Sequence, residues 1–317
     1  MWAYIARRSV LIVPTLLGVV TLVFVLIRVA PGNPIELMIP PGVSGAASVA
    51  LVKKLTALYG FNRPLYIQYV DYIWQIVRLQ FGTSLQTQTV ILPQLLIHLW
   101  ASLQLALVAF ILSVVLGIPA GVVSAVRRDS IGDAGLMFVA LGGISIPTFV
   151  LAYVLIFVFG VVVHALPPSG YNGSIFTPSG FRFVVLPAVT LALGTAGFIA
   201  RFTRSSMLEI LHTDHVRTAR AKGLAEGHIV RRHVLRNSLI PILTVLGLTL
   251  GGLLGGQIVI ENVFGWPGVG QYLVNAIFER DFPVVQAASI SVAAAFVIMN
   301  LVTDLAYAWV DPRIRYD

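Results

Sequence analysis

Six apolar runs are the feature that most constrains what this chain can fold into. A helix that crosses the roughly 30 Å hydrocarbon core of a bilayer needs about 20 apolar residues. The runs cover residues 9–27, 101–126, 134–163, 186–200, 238–260 and 284–309. The third is too long for one straight helix, so we expect one span with a kink at Pro147. The pattern predicts an all-α integral membrane protein with six transmembrane helices.

The composition supports this class. Charged residues make up 11% of the 317 residues and the mean hydropathy is +0.90, whereas a soluble domain carries about 25% charged residues. The net charge of +8 could indicate nucleic acid, but the cations cluster at the ends of apolar runs, so we expect a lipid bilayer and no nucleic acid as partner. The chain has no cysteine, which excludes disulfides and cysteine metal sites.

The arginines and lysines are distributed unequally between the connections. If the N-terminus lies inside, most of them fall on the inner side, which predicts that both termini are cytoplasmic. Arg201 and Arg204 follow the short fourth run, and we expect their long side chains to snorkel to the aqueous edge. The predicted organisation is a first span in 1–30, an external helical segment in 31–98, a five-span core in 99–312 with a connector at 212–237, and a cytoplasmic tail in 313–317.

The external segment contains an amphipathic pattern, "YIQYVDYIWQIVRLQ". Its apolar side chains share one helical face, and its polar side chains share another. The apolar set is Ile67, Val70, Trp74 and Val77, and the polar set is Asp71, Gln75 and Arg78. We expect this face to pack on the outer surface and cover the mouth of the bundle; a docking or lid element is the alternative.

The connector between spans four and five holds the most polar stretch, "RTARAKGLAEGHIVRRH". Thr213 or Asp214 can cap a helix that ends at Lys222, and Gly223 stands where a helix stops in a left-handed conformation. A second helix is expected over about 227–237. The positive-inside rule explains the charge but not a helix–glycine–helix hairpin, so we expect a cytoplasmic partner. A stripe of Val216, Ala219 and Gly223 would let that partner approach closely.

This connector resembles the cytoplasmic EAA loop of ABC-importer permeases, and in detail that of the B-type permease subunit of the dipeptide/oligopeptide (peptide/nickel) ABC importer family. Arg217, Thr218 and Ala219 stand at the Glu-Ala-Ala positions, and Gly223 at the glycine. The closing proline, expected near Arg236, is Pro241 instead, a departure usual in the peptide branch. The resemblance covers the whole chain and includes "APGNP", "GFNRPLYIQY", "FGTS", "LPPSG", "RFTRSSMLEIL", "ENVFGWPGVGQ", "RDFPVVQ" and "DPRIRY".

The resemblance implies a type I ABC importer permease fold in the bacterial cytoplasmic membrane. It implies three kinds of partner: a homologous C-type permease subunit, two cytoplasmic ATPase subunits or domains, and an extracytoplasmic substrate-binding protein. The sequence has no G-x-x-x-x-G-K-[ST] phosphate loop, so we expect a non-catalytic subunit whose partners bind the ATP and magnesium. The expected ATPase-coupling residues are Asp214, Val216, Arg217, Thr218, Ala219, Arg220, Lys222 and Gly223. Movement of their helix would tilt the spans and alternate access to a central path.

The path itself is predicted in span five, where Gly247, Gly251 and Gly255 recur at every fourth position, a pattern typical of membrane helix packing. Either these glycines pack a neighbouring helix, or they leave room for a polar substrate. The predicted path residues are Gly251, Gly252, Gly255, Gly256 and Gln257. The predicted outer-gate or docking residues are Glu261, Trp266, Pro267 and Gly268, with an ordinary surface turn as the alternative. Glu261 and Asp304 are expected near span ends, where water relieves the cost of their charge.

Other functions remain as alternatives at this point. The same importer class includes relatives that move nickel, glutathione or haem. A secondary transporter could share the topology, but it would more often carry membrane-embedded charges or paired interrupted helices. An intramembrane hydrolase would need a nucleophile and a base at depth, and the sequence has neither G-x-S-x-G nor H-E-x-x-H. The histidines of the connector are too dispersed to predict a metal site.

Overall fold

The computed structural model describes residues 2–29, 45–58 and 62–310. The "APGNP" and "DPRIRY" motifs and the predicted tail at 313–317 lie outside these residues. The described part is almost entirely helical, which confirms the all-α prediction. The helices are α1 (Trp2–Val29), α2 (Ala46–Leu58), α3 (Leu65–Val77), α4 (Ile91–Val126), α5 (Ile131–Ser145), α6 (Thr148–Leu155), α7 (Pro178–Leu211), α8 (Asp214–Ala221), α9 (Glu226–Ile229), α10 (Arg236–Gly256), α11 (Ile258–Phe264), α12 (Val269–Phe278) and α13 (Phe282–Val310).

Within the described ranges, five helices are long and apolar enough to cross a membrane, and a bent pair can supply a sixth span. Several helices extend beyond the apolar runs. α4 begins at Ile91, inside the segment expected to be external, and α7 covers Pro178–Leu211 rather than 186–200. Hydropathy marks only the part of a helix that lipid can surround, whereas the backbone hydrogen bonds continue past that layer.

The third predicted span is broken rather than kinked. α5 ends at Ser145 and α6 begins at Thr148; a π-helical turn over Ile156–Val162 extends α6. The axis of α5 and the axis of this extended α6 differ in direction by 104°. Pro147 has no backbone N–H to continue the helix and disfavours helical backbone at Ile146. Ile146 is accordingly extended, with ψ of 125°. Each part is about 22 Å long, which is too short to cross a bilayer alone.

The direction of each crossing follows from two clusters of buried residues. At one end of the bundle, called here the hairpin end, Ala125 and Met207 lie buried together. At the opposite end, Ile91 and Val284 lie buried together. α4 therefore runs toward the hairpin end, and α7 also finishes there. The chain must return between them, so α5 and α6 together make one crossing.

The first and last helices complete six crossings. α1 packs on α13, and Arg28 in its last turn donates to the Oε1 atom of Gln68 in α3 at 3.1 and 3.2 Å. The segment after α3 is tied to the start of α13, because Ser84 Oγ donates to Asp281 Oδ2 at 2.5 Å. α1 therefore ends at the opposite end. Both ends of the described chain lie at the hairpin end, as an even number of spans requires.

Small residues set the helix spacing. A Cβ on Gly117 would lie 2.8 Å from Ala196 O, and a Cβ on Gly121 would lie 2.5 Å from Ala200 O. These two glycines, four residues apart, let α4 and α7 approach as membrane helices with small-residue faces do. Sequence analysis did not single them out, because "GIPAG" is as apolar as the rest of its run.

The glycines of α10 serve helix packing on one side. A Cβ on Gly247 would lie 1.6 Å from Thr303 Cγ2, and a Cβ on Gly251 would lie 2.8 Å from Asn300 Oδ1. α13 therefore packs on this glycine face, which confirms the packing interpretation for Gly247 and Gly251.

Of the predicted apolar face of α3, Ile67 is half-buried and the other three side chains do not pack on the protein. Val70, Trp74 and Val77 are 61%, 56% and 68% exposed. The side that packs on α1 carries Gln68, which is buried, and Tyr69. The periodicity correctly indicated an amphipathic helix, but it could not indicate which face the chain would cover.

Candidate functional site

The connector at 212–237 forms a hairpin at the end of the bundle. α8 covers Asp214–Ala221, and Gly223 has a φ of +77°. Gly223 N donates to Arg220 O at 2.9 Å and Leu224 N donates to Ala219 O at 3.4 Å, the bonding pattern of a Schellman motif. The predicted left-handed glycine stop is therefore confirmed.

Two local details of the hairpin differ from prediction. Thr213 occupies the N-cap position, but its hydroxyl donates to Ile210 O at 2.6 Å and accepts no bond from the helix. The second helix begins at Glu226 and does not stop near residue 237. It widens to a π-helical turn over Val230–Leu235 and continues as α10 to Gly256. The second arm of the hairpin is therefore continuous with the transmembrane helix α10.

The buried face of α8 corrects the predicted docking stripe. Val216 and Ala219 are 0% and 6% exposed, and they pack in a cluster with Met207 of α7 and Ala125 of α4. Because these two side chains are covered by their own chain, they are closed to a partner. The spacing of apolar residues along the sequence shows that a short helix has an apolar face. It does not show whether that face will be covered by the same chain or by a partner.

The exposed face of α8 is polar and basic. It comprises Asp214, Arg217, Thr218, Ala221 and Lys222, followed by Leu224, which is 40% exposed at the tip. The Asp214–Arg217 pair is 3.5 Å apart and well exposed, so it adds little stability. Arg220 Nε donates to Glu226 Oε1 at 2.6 Å across the turn. These contacts leave one continuous polar surface open at the tip of the hairpin.

An ion pair between a buried carboxylate and a partly exposed arginine holds the hairpin end together. Arg204 Nε and Nη2 donate to the two oxygens of Asp133 at 2.8 and 2.7 Å. Ser124 Oγ and the backbone N–H of Asp129 also donate to this carboxylate. The Arg204 side chain, expected to snorkel to the aqueous edge, is 26% exposed, and its bidentate contact joins α7 to α5, while Ser124 attaches α4 to the same carboxylate. Arg201 is exposed, in line with the prediction.

A cleft of about 430 Å³ opens beside the break between α5 and α6. It lies between that break, α7 and α10. Its lining includes Gly143, Ile146, Thr148, Gly194, Thr195, Thr249 and Gly252. Small and hydroxyl-bearing residues therefore share the lining of this open space with larger apolar side chains, which are Ile144, Ile146, Leu191, Phe198 and Leu253.

The predicted path residues separate into different environments. Gly252 lines the cleft and is exposed. Gly251 faces α13, and Gly255 lines a separate groove beside α1 and α13. Gly256 ends α10. Gln257 is 1% exposed and its amide donates to Ser102 O at 3.0 Å, so it packs on α4 and does not line the cleft.

The predicted outer-gate residues form an internal contact at the opposite end. Trp266 is fully buried and its Nε1 donates to Ala101 O of α4 at 2.9 Å. His98 Nδ1 lies 2.8 Å from Pro267 O, and Phe264 O accepts from Gly170 N of the "LPPSG" motif at 2.7 Å. Sequence reasoning listed these motifs separately; the fold brings them together.

Glu261 is fully buried, so its expected placement in water at a span end is wrong. Its carboxylate accepts from Ser102 Oγ at 2.5 Å and from Gln271 N at 3.0 Å. A Cβ on Gly268 would lie 2.0 Å from Glu261 Oε1, so only glycine fits there. Burial raises the pKa of Glu261 to about 7, while the bonds from Ser102 and from the backbone of Gln271 and Gly270 lower it.

With this geometry in view, comparison with known proteins gives a specific result. Residues 117–316 match the family described as "Binding-protein-dependent transport system inner membrane component". The chain belongs to this family. It is therefore a multi-pass membrane permease of a binding-protein-dependent transport system. This membership favours the importer over the secondary transporter and the hydrolase that were considered from the sequence.

Relatives of known designation match this permease from end to end. It is 39% identical to the oligopeptide transport system permease protein AppB of Bacillus subtilis, covering 100% of both chains. It is 40% identical to the di/tripeptide transport system permease protein DppB of Pseudomonas aeruginosa, covering 100% of this chain and 99% of the other. It is 37% identical to the glutathione transport system permease protein GsiC of Escherichia coli, covering 99% of each.

A solved structure supports the fold. The permease resembles a chain of the MetNI methionine ABC transporter in an inward facing conformation, with a TM-score of 0.59 and 23% identity. The match covers 70% of this chain and 98% of that chain. The type I ABC importer permease fold expected from the sequence is thus confirmed.

Proposed function

We propose that this permease is a membrane-spanning subunit of an ATP-driven importer for dipeptides and oligopeptides. The full-length similarity to AppB and DppB carries the proposal, because it extends over every helix and not only over the hairpin. In this proposal the permease pairs with a homologous C-type subunit. Two ABC ATPase subunits or domains and an extracytoplasmic substrate-binding protein complete the complex.

The hairpin is the proposed site of energy coupling. It faces the cytoplasm, with both termini, and the exposed side of α8 contacts an ATPase subunit. The partner ATPases bind the ATP and magnesium, and this permease contributes no catalytic residue. Because the hairpin packs on α4 and α7 and is continuous with α10, displacement of α8 moves three transmembrane helices together.

The cleft at the α5–α6 break is the proposed section of the translocation path that this subunit lines. Its glycines and threonines leave room for a peptide backbone and offer hydroxyl groups to it. The path becomes complete when the second permease subunit faces this cleft.

Reconstitution of the whole complex tests the proposal. The permease is co-expressed with its partner subunits, purified and placed in proteoliposomes with the binding protein outside and ATP inside. We expect ATP-dependent accumulation of a radiolabelled dipeptide or tripeptide. A complex with a hydrolysis-deficient ATPase is the control and should accumulate none. Equal accumulation by the permease without ATPases would contradict the proposal.

Glutathione is the second candidate substrate, because GsiC is almost as similar as the peptide permeases. Glutathione is itself a tripeptide, so the same cleft could accept it. Competition in the reconstituted assay separates the two. If unlabelled glutathione suppresses uptake of its own label at concentrations where alanyl peptides have no effect, the transporter serves glutathione.

A further inference from the structure

An apolar stripe runs along the exposed side of α3. Tyr66, Val70, Trp74 and Val77 are 70%, 61%, 56% and 68% exposed. At about 100° per residue these positions fall on one helical face. The guanidinium of Arg78 lies over the Trp74 ring, 4.5 Å from its centroid, a cation–π contact at the end of the stripe.

The other side of α3 is fixed to α1. Tyr69 OH lies 2.6 Å from Thr21 Oγ1, and the rings of Tyr69 and Tyr72 pack on Phe24 with centroid distances of 5.1 and 5.5 Å. Gln68 also contacts Arg28. These bonds set the rotation of α3, so the stripe points away from α1.

The contacts with α1 also set the depth of α3. They fall on residues 21–28, the last two turns of a helix whose apolar span is Val10–Val29. Two turns correspond to about 11 Å. The adjoining side chains of α1 are exposed and apolar, including Leu22, Val25 and Leu26, so they face lipid. The stripe therefore continues a lipid-facing surface at the level where hydrocarbon meets headgroups.

We propose that α3 is an interfacial helix whose stripe inserts into the bilayer leaflet at the opposite end. Tyrosine and tryptophan are enriched at this depth because their rings are amphipathic. A helix with one apolar and one charged face lies in the plane of the interface, and the exposed Arg63–Asp71 pair, at 2.9 Å, supplies the polar side. The helix anchors the end of α1 to the membrane surface.

Fluorescent labelling tests this proposal in the full complex. The chain has no cysteine, so Val70→Cys and Val77→Cys on the stripe can be labelled with an environment-sensitive NBD fluorophore. Gln75→Cys, exposed on the polar side, is the matched control. Each variant is reconstituted in phosphatidylcholine vesicles, with or without a lipid that carries a doxyl quencher near the top of its acyl chain. Iodide is the water-soluble quencher.

We expect the doxyl lipid to quench the labels at positions 70 and 77 at least twofold more than the label at position 75. Iodide should show the reverse order. Equal iodide quenching at all three positions would overturn the proposal. So would protection of positions 70 and 77 from iodide only after the binding protein is added, because the stripe would then be a protein-docking surface. A monodisperse elution profile for each labelled complex confirms folding before the comparison.

Discussion

Gly223 is the position at which the hairpin depends most directly on the identity of one residue. Its φ of +77° lies in the left-handed region, and no atom stands within 4 Å of the place where a Cβ would be. A substitution there is therefore disfavoured by backbone conformation and not by collision. Glu261 depends instead on contacts remote in sequence, because its carboxylate accepts bonds from Ser102 in α4 and from Gly270 and Gln271 at the start of α12.

We expect Gly223→Val to abolish ATP-coupled uptake while leaving membrane insertion intact. A non-glycine residue costs about 1–2 kcal/mol in this conformation, and a β-branched one more, so the turn should re-form differently. Uptake by the reconstituted complex measures the effect. Gly227→Ala is the control, because Gly227 is exposed in α9 and has open space around it. Unchanged uptake by the valine variant would show that the turn geometry is not needed.

The buried carboxyl of Glu261 should make stability depend on pH. Its folded pKa of about 7 exceeds the ordinary value of 4.5, so the folded chain binds more protons than the unfolded chain between these values. The free energy of unfolding should therefore fall as pH rises from about 4.5 to 7. Thermal unfolding in detergent at several pH values measures this. Glu261→Gln should flatten that part of the profile, whereas Glu279→Gln, at an exposed site, should not.

At the scale of elements, one face of α8 is buried against the protein and the other is exposed. Val216 and Ala219 attach it to α4 and α7, while Arg217, Thr218 and Lys222 stay open. The family resemblance had marked both sets as coupling residues. The buried set holds the hairpin on α4 and α7, so in the proposed function only the open set contacts the ATPase subunit.

Leucine substitutions on the two faces should affect different properties: the stability of the fold on the buried face, and the binding of the ATPase subunits on the exposed face. Ala219→Leu overpacks the buried cluster, and we expect it to lower the unfolding free energy by about 1–3 kcal/mol. Ala221→Leu lies on the exposed side and should change stability by no more than about 0.5 kcal/mol, but it should weaken binding of the ATPase subunits. Thermal unfolding and co-purification measure the two effects. If Ala221→Leu alone destabilised the protein, the assignment of the faces would be reversed.

At the scale of the whole molecule, the residues that the structure describes make six crossings, and the two short helices α5 and α6 together make one of them. α5 and α6 meet at 104°, yet α4 and α7 both finish at the hairpin end, so the pair must carry the chain back. The break also places Ile146 and Thr148 beside the cleft.

Cysteine labelling tests this topology without background, since the chain has no cysteine. We expect a membrane-impermeant maleimide to label Asn172→Cys and Glu279→Cys in intact spheroplasts. Arg128→Cys and Leu224→Cys should react only after permeabilisation. All four residues are exposed in the structure. Labelling of positions 128 and 172 from the same side would show that α5 and α6 form a re-entrant loop.

The accuracy of the sequence predictions varied with the range of the interaction. The helices and the stop at Gly223 depend on local hydropathy and on one backbone angle, and these were predicted. The partners of Arg204 and Glu261 lie 71 and 159 residues away; neither partner was predicted, and Glu261 was wrongly expected in water. A single sequence carries no local signal for such contacts.

The sequence by itself determined that the chain spans a membrane, that it has six apolar segments and that a glycine-centred polar hairpin separates two of them. These features follow from the cost of burying polar groups in hydrocarbon and from the conformational freedom of glycine. The tertiary structure alone decided which faces are covered. It buried Val216 and Ala219, left the stripe of α3 open and joined Glu261 to α4, because close packing pairs surfaces that are remote in sequence.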